Sequence, residues 1–437
     1  MHDLRKQVLL ESKKTTSRKA RSKDTSPPLS GNGSATASPR GSRVVSRAPS
    51  DDESEVSDGT EATSHSVDAL GDAENEVEDD TWITSLEQRI EALVDRKRSS
   101  TEGREEMIKS IIAILRKHFA EAELRRKMDE LLPALLKSVK SGQSEDEIVL
   151  ALKTLALIVI TEPSDAIFDA LEGPIKHIMN DSEYPGAKVA AIRALGMVTF
   201  YGGASEEGTL EVMELYLDII SSDGAVIDET DNGKVVVAAL EEWGFLATQI
   251  EDIQESNEAA MEIFADQLES SDVAVQIAAG ENIALLYEKS YTEAESGDEP
   301  KDDDGSDGDG IRMVKRYDVY RQSRKLEQTL ERMVKDSCKS IAKKDRKQLH
   351  VAFRDILSTV EKPTRGPRYS TATDMEDREY GSRMKVTIPG GGKMVINKWW
   401  KLHRLNRIKG LLQNGFMVHY QLNQTIFDSL PVMVERR

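Results

Sequence analysis

The chain has 437 residues, of which 38% are hydrophobic and 31% charged, with a formal net charge of −19. A single cysteine, Cys338, excludes an internal disulfide and points to a reducing compartment. No run of about 18 apolar residues exists, which excludes a helical membrane span.

The net charge hides an asymmetry. Residues 1–50 carry 11 basic and 3 acidic side chains, residues 51–310 carry 20 and 62, and residues 311–437 carry 28 and 13. Basic ends around an acidic middle suit an anionic partner at the ends, nucleic acid being the obvious class. The alternative is that the basic helix faces are merely solvated.

Residues 1–80 read as a disordered tail, basic and then acidic, with too little apolar surface to offset ordering. Its Lys/Arg clusters, from Lys13 to Lys23, suit either a plain solvated tail or a nuclear-localisation or RNA-contacting arm. Ser26-Pro27 and Ser38-Pro39 are candidate phosphorylation sites that would reduce that charge. No apolar leader follows Met1, so the expected location is cytoplasmic and nuclear.

Residues 81–292 carry the fold. The stretch Ala279-Gly-Glu-Asn-Ile-Ala-Leu-Leu is matched upstream by octets starting at Ala239, Ala191 and Ala151, at spacings of 40, 48 and 40 residues. Each copy has Ala or Gly at its sixth position: Ala156, Gly196, Gly244 and Ala284. A period of roughly 40–47 residues with two or three helices per unit is the mark of an armadillo/HEAT-like helical-repeat solenoid, an all-α class. Units of this kind bury their apolar faces on each other. Asp165–Met179, Thr209–Ile220 and Glu258–Leu268 supply outer helices, Asp272 is a candidate N-cap, and the polar stretch Ser221–Lys234 accounts for the 48-residue spacing. His118 and His177 read as edge-of-core residues. Thirteen of the 20 basic residues of 51–310 lie between Arg89 and Lys140, and Arg116, Lys117, Arg125 and Arg126 are candidate RNA contacts there.

Residues 293–311 form an acidic linker whose Asp/Gly spacing does not fit a calcium loop. Residues 312–437 are a basic, α-rich C-terminal domain. Helices are expected over Arg324–Ala342 and Asp345–Val360, a short β-hairpin from Met384–Ile388 and Lys393–Ile396, and a last helix pair near Asn397–Gln413 and Leu422–Leu430. Arg346 and Lys347 extend the basic set. In Lys398–Lys409, Leu405, Ile408 and Leu412 reserve one stripe for packing, leaving Lys398, Trp399, Lys401, Arg404, Arg407 and Lys409 as candidate RNA contacts. The alternative is that both tryptophans are core and the charges solvate the helix.

No catalytic constellation, metal set or cofactor motif stands out, so no enzyme activity and no cofactor are expected. Gly390-Gly-Gly-Lys393 lacks the spacing and the Ser/Thr of a phosphate loop, and Cys338 has no histidine near it in sequence.

Three ordered blocks, Ser271–Tyr287, then Lys344–Arg346 with Phe353–Glu361, then Trp400 with Leu411–Met417, His419–Asn423 and Ile426-Phe427, resemble the interferon-related developmental regulator family. The tail and the 362–394 insertion depart from the family pattern. The resemblance implies a non-enzymatic regulator of one of two kinds. One docks on ribosomes and holds them translationally silent. The other is a transcriptional co-regulator associated with histone-deacetylase complexes, and the alternative reading of this chain is accordingly a nuclear scaffold whose solenoid groove binds a corepressor peptide.

Overall fold

Several of the helices start where short polar side chains satisfy the orphan amides of a first turn. The computed structural model describes residues 81–95, 99–295, 297–298, 305–306, 311–335, 343–368, 384–388 and 392–431. Ser100, Ser144, Ser205, Asn232 and Asp272 each accept a bond from a backbone N–H two or three residues on. A cap of this kind contributes about 1 kcal/mol. The expected Asp272 cap is present, with Oδ1 2.8 Å from the Ala274 amide.

Among the described residues twelve helices then pair in order. They are α1 (Thr81–Val94) with α2 (Thr101–Lys117), α3 (Glu121–Ser141) with α4 (Glu145–Thr161), and α5 (Ile167–Asp181) with α6 (Pro185–Tyr201). Next come α7 (Glu206–Ser221) with α8 (Gly233–Ala247), α9 (Gln254–Gln267) with α10 (Val273–Lys289), and α11 (Ser323–Lys335) with α12 (Lys343–Glu361). The second helix of each pair packs on the second helix of the next, so α2, α4, α6, α8, α10 and α12 form an inner layer with the first helices outside. This is the helical-repeat array that the 40-residue period implied.

Inner helices α4 and α10 bury 12 of their 17 residues each, whereas outer helix α5 buries 6 of 15. A helix apolar nearly all round must be covered on both sides. The second cover is the C-terminal segment: α13 (Trp399–Leu412), a 3₁₀ turn at Gln413–Gly415, α14 (Phe416–Leu422) and α15 (Gln424–Ser429). The sequence suggested a pair of helices here. The structure has three, because Asn423 ends α14 and its Oδ1 accepts from the Thr425 amide at 2.9 Å to start α15.

The small sixth-position residues now have a cause. A Cβ on Gly196 would lie 2.1 Å from the Glu242 carboxylate of the next inner helix. One on Gly244 would meet Asn282 Oδ1 at 2.2 Å and the His403 ring of α13 at 2.6 Å.

The expected hairpin is β4 (Met384–Ile388) antiparallel to β5 (Gly392–Ile396). An unforeseen three-stranded antiparallel sheet joins β1 (Tyr291–Glu293), β3 (Arg312–Lys315) and β2 (Gly305–Ser306) at the edges of the acidic segment. Arg316 fastens it by gripping Asp298 through both oxygens at 3.1 and 3.0 Å. Of the two histidines, His118 stacks flat on Trp82 at 4.6 Å. His177 is exposed beside Asp181 rather than at the core edge. Cys338, the basic tail, its phosphorylation candidates and Gly390–Gly391 lie outside the described residues. No helix among the described residues is long and apolar enough to cross a membrane.

Candidate nucleic-acid interface

The basic C-terminal helix lies on the inner layer and crosses it against the repeat order. At its start, Glu288 of α10 accepts from the Trp399 and Trp400 amides at 2.8 and 3.1 Å, a carboxylate placed on a helix N-terminus. Burial still pushes that carboxyl upward, against the pull of Lys398 and the two amides. Trp399 donates its indole N–H to Thr359 Oγ1 at 2.8 Å, and Lys401 bonds Asn397 Oδ1 at 3.0 Å.

One turn on, Arg404 donates to Thr248 Oγ1 (2.8 Å), the Thr248 carbonyl (2.9 Å) and the Ser429 carbonyl (3.2 Å). Its guanidinium also lies over Phe200 at 5.2 Å and Trp400 at 5.1 Å. Arg407 pairs with Glu242 of α8 and donates to the Arg193 carbonyl of α6 at 2.6 Å. Glu242 is wholly buried, and burial lifts its carboxyl to about 7 despite Arg407 and Arg193 nearby. At the far end Arg116 of α2 donates to the Leu411 carbonyl at 2.9 Å and to Gln413 at 2.6 Å. His419 contacts the Leu115 carbonyl at 2.8 Å, and Asn423 donates to the Ile160 carbonyl at 2.7 Å.

The candidate contacts therefore separate. Trp399, Lys401 and Arg407 are buried, and Arg404 is half-buried with every guanidinium nitrogen engaged. Arg116, Arg346, Lys398 and Lys409 are half-buried. The side chain of Lys347 lies outside the described residues. Lys117, Arg125 and Arg126 are exposed; Arg125 pairs with Glu162 (2.8 Å) and Glu121 (2.7 Å), and Arg126 with Glu123 (3.3 Å). The space over the inner layer, where the co-regulator alternative would lay a corepressor peptide, is occupied by α13–α15.

Sequence reasoning missed Glu242, Glu288 and Thr248, the partners that hold α13. One signal was present. Glu242 occupies the fourth place of its octet, where the other copies hold Thr154, Ala194 and Asn282, all buried. A carboxylate at a position the repeat reserves for the interior needs a cation from elsewhere.

His403 titrates with this packing. Burial pushes its imidazole down to about 4. A histidine held neutral contributes stability present above its free value near 6.5 and lost as pH falls from there toward 4. The unfolding temperature is expected to drop between pH 7 and pH 5, and less steeply in His403→Gln. Thermal melts at the two pH values check this, and equal slopes would refute it.

The family model described as Interferon-related developmental regulator (IFRD) matches residues 48–361. An uncharacterized protein of Schizosaccharomyces pombe is 29% identical over 342 residues, 78% of this chain and 72% of that one. Human interferon-related developmental regulator 1 is 25% identical over 370 residues, 80% and 72% of the two chains. Mouse interferon-related developmental regulator 2 is 24% identical over 376 residues, 82% and 76%.

Proposed function

The chain belongs to the interferon-related developmental regulator family, and on that premise we propose that it is a non-enzymatic docking protein. It binds a ribosome or other ribonucleoprotein and silences translation by occupying space that tRNA or mRNA would use. The observation that carries this reading is the plugged inner layer, which leaves the outer surfaces for partners. The exposed cations of the first two repeats, Lys117, Arg125, Arg126, Lys137 and Lys140, are the contacts favoured for RNA phosphate. A corepressor peptide in the groove would first have to displace three helices that bury Trp399, Phe416 and Tyr420.

The test is a sucrose gradient of cell lysate at low and high salt, comparing wild type with Lys117→Glu/Arg125→Glu/Arg126→Glu. These side chains are exposed, so reversing them leaves the core intact. Wild type is expected to travel with ribosomes at low salt and the variant to stay near the top. Wild type at the top in low salt would sink the reading.

A further inference from the structure

A second cationic surface lies at the other end of the array, on a helix that the RNA candidates above do not include. On α11 and the turn before it, Arg321, Arg324, Lys325, Gln328, Arg332 and Lys335 recur every three or four residues and form one exposed stripe. It runs about 21 Å at 1.5 Å per residue. The opposite stripe, with Leu326 and Leu330 buried and Met333 and Val334 half-buried, seats the helix on the core. Arg332 reaches Glu269, just past the end of α9, at 2.6 Å, Arg321 lies 3.7 Å from Glu258 of α9, and Lys335 pairs with Glu331 at 2.8 Å. Arg324 and Lys325, mid-stripe, make no ion pair among the described residues.

We propose that this stripe of α11 is a docking surface for the backbone phosphates of double-stranded RNA; the inference rests on the ribonucleoprotein reading above and names the class of RNA. Two observations choose the duplex. Single-stranded RNA is held on aromatic platforms against which unstacked bases lie. Phe353, the one Phe, Tyr or Trp of α11 and α12, and Tyr320, which precedes Arg321, are both buried, so among the described residues the stripe presents cations and no exposed aromatic platform. Duplex RNA is read through its shape and backbone, which a row of exposed arginines and lysines fits. The acidic middle repeats repel the same phosphates, which confines an RNA to the ends of the array.

The test uses the full chain, an RNA hairpin of about 20 base pairs and an unstructured oligouridine of similar length. Binding is followed by fluorescence anisotropy between about 50 and 200 mM salt. Arg324→Glu/Lys325→Glu is expected to weaken hairpin binding at least tenfold. Its salt slope should fall by about 2, near 0.9 for each phosphate no longer neutralised. Arg324→Lys/Lys325→Arg keeps the charge and should bind as wild type, with melting curves showing that all three proteins are folded. Unchanged hairpin affinity and slope in the Glu variant, or wild-type preference for oligouridine, overturns the proposal. Hairpin binding that needs Arg324 and Lys325 while wild type stays off ribosomes refutes the ribosome reading alone. Ribosome association with hairpin binding indifferent to the two residues refutes the stripe alone.

Discussion

Arg407→Leu should destabilise the fold by about 3–5 kcal/mol, the usual loss when one partner of a buried ion pair is removed and the other left behind. The stranded group is Glu242, 0% exposed, whose remaining neighbour Arg193 is 2.9 Å from Glu241. The cost should depend on pH, and its sign is fixed. Burial already raises the Glu242 carboxyl to about 7, and Arg407 is the first of the groups opposing that rise. Without the arginine the carboxyl rises further and escapes the charge by binding a proton. A carboxyl raised in this way favours the folded state most below its free value and loses that contribution as pH climbs through the raised one. The deficit of Arg407→Leu against wild type should therefore be larger at pH 8.5 than at pH 6. Adding Glu242→Leu removes the buried charge and should restore much of the loss. Urea unfolding at both pH values gives these quantities. A deficit under about 1 kcal/mol at both would show that the pair carries no buried charge.

Gly415→Ala should cost about 3 kcal/mol or more, whereas Gly410→Ala, five residues earlier, should be neutral or stabilising by up to about 1 kcal/mol. An added Cβ at Gly415 would lie 1.7 Å from the Arg116 carbonyl oxygen and 2.6 Å from its carbon, both backbone atoms that cannot swing aside. Gly415 has an ordinary φ of −79°, so space rather than conformation demands glycine. Relief requires α14 to move off the end of α2, which loosens the Arg116 bond to Leu411, the His419 contact and the fully buried Phe416. At Gly410 no atom lies within 4 Å of the added carbon, and alanine is the better helix former. Melting temperatures of the two variants, taken side by side, decide it, and equal shifts would mean that α14 does not sit where the structure has it.

The two glycines show where the sequence stopped being readable. Both stand in one basic, leucine-rich run, and nothing local separates the one facing solvent from the one pressed on a carbonyl 299 positions away. The cations of α13 posed the same difficulty. Lys401, Arg404 and Arg407 read as an RNA-facing set because charged side chains on a short helix are usually solvated. Their partners, Asn397, Thr248, Arg193 and Glu242, come largely from repeats 156 or more residues upstream.

The repeat, its period, the small sixth-position residues, the Asp272 cap, the β4–β5 hairpin and the family are all legible in the amino-acid order. Each is carried by a local pattern, whether helical spacing, a cap, alternation or an ordered motif, that reads the same whatever lies on the other side. Folding added what no local pattern holds. The inner layer is covered twice, α13 is a strut rather than a free basic arm, and the exposed cations proposed to meet RNA lie on α2, α3 and α11. Burial and charge pairing are properties of two surfaces, and the second surface here arrives from the far end of the chain.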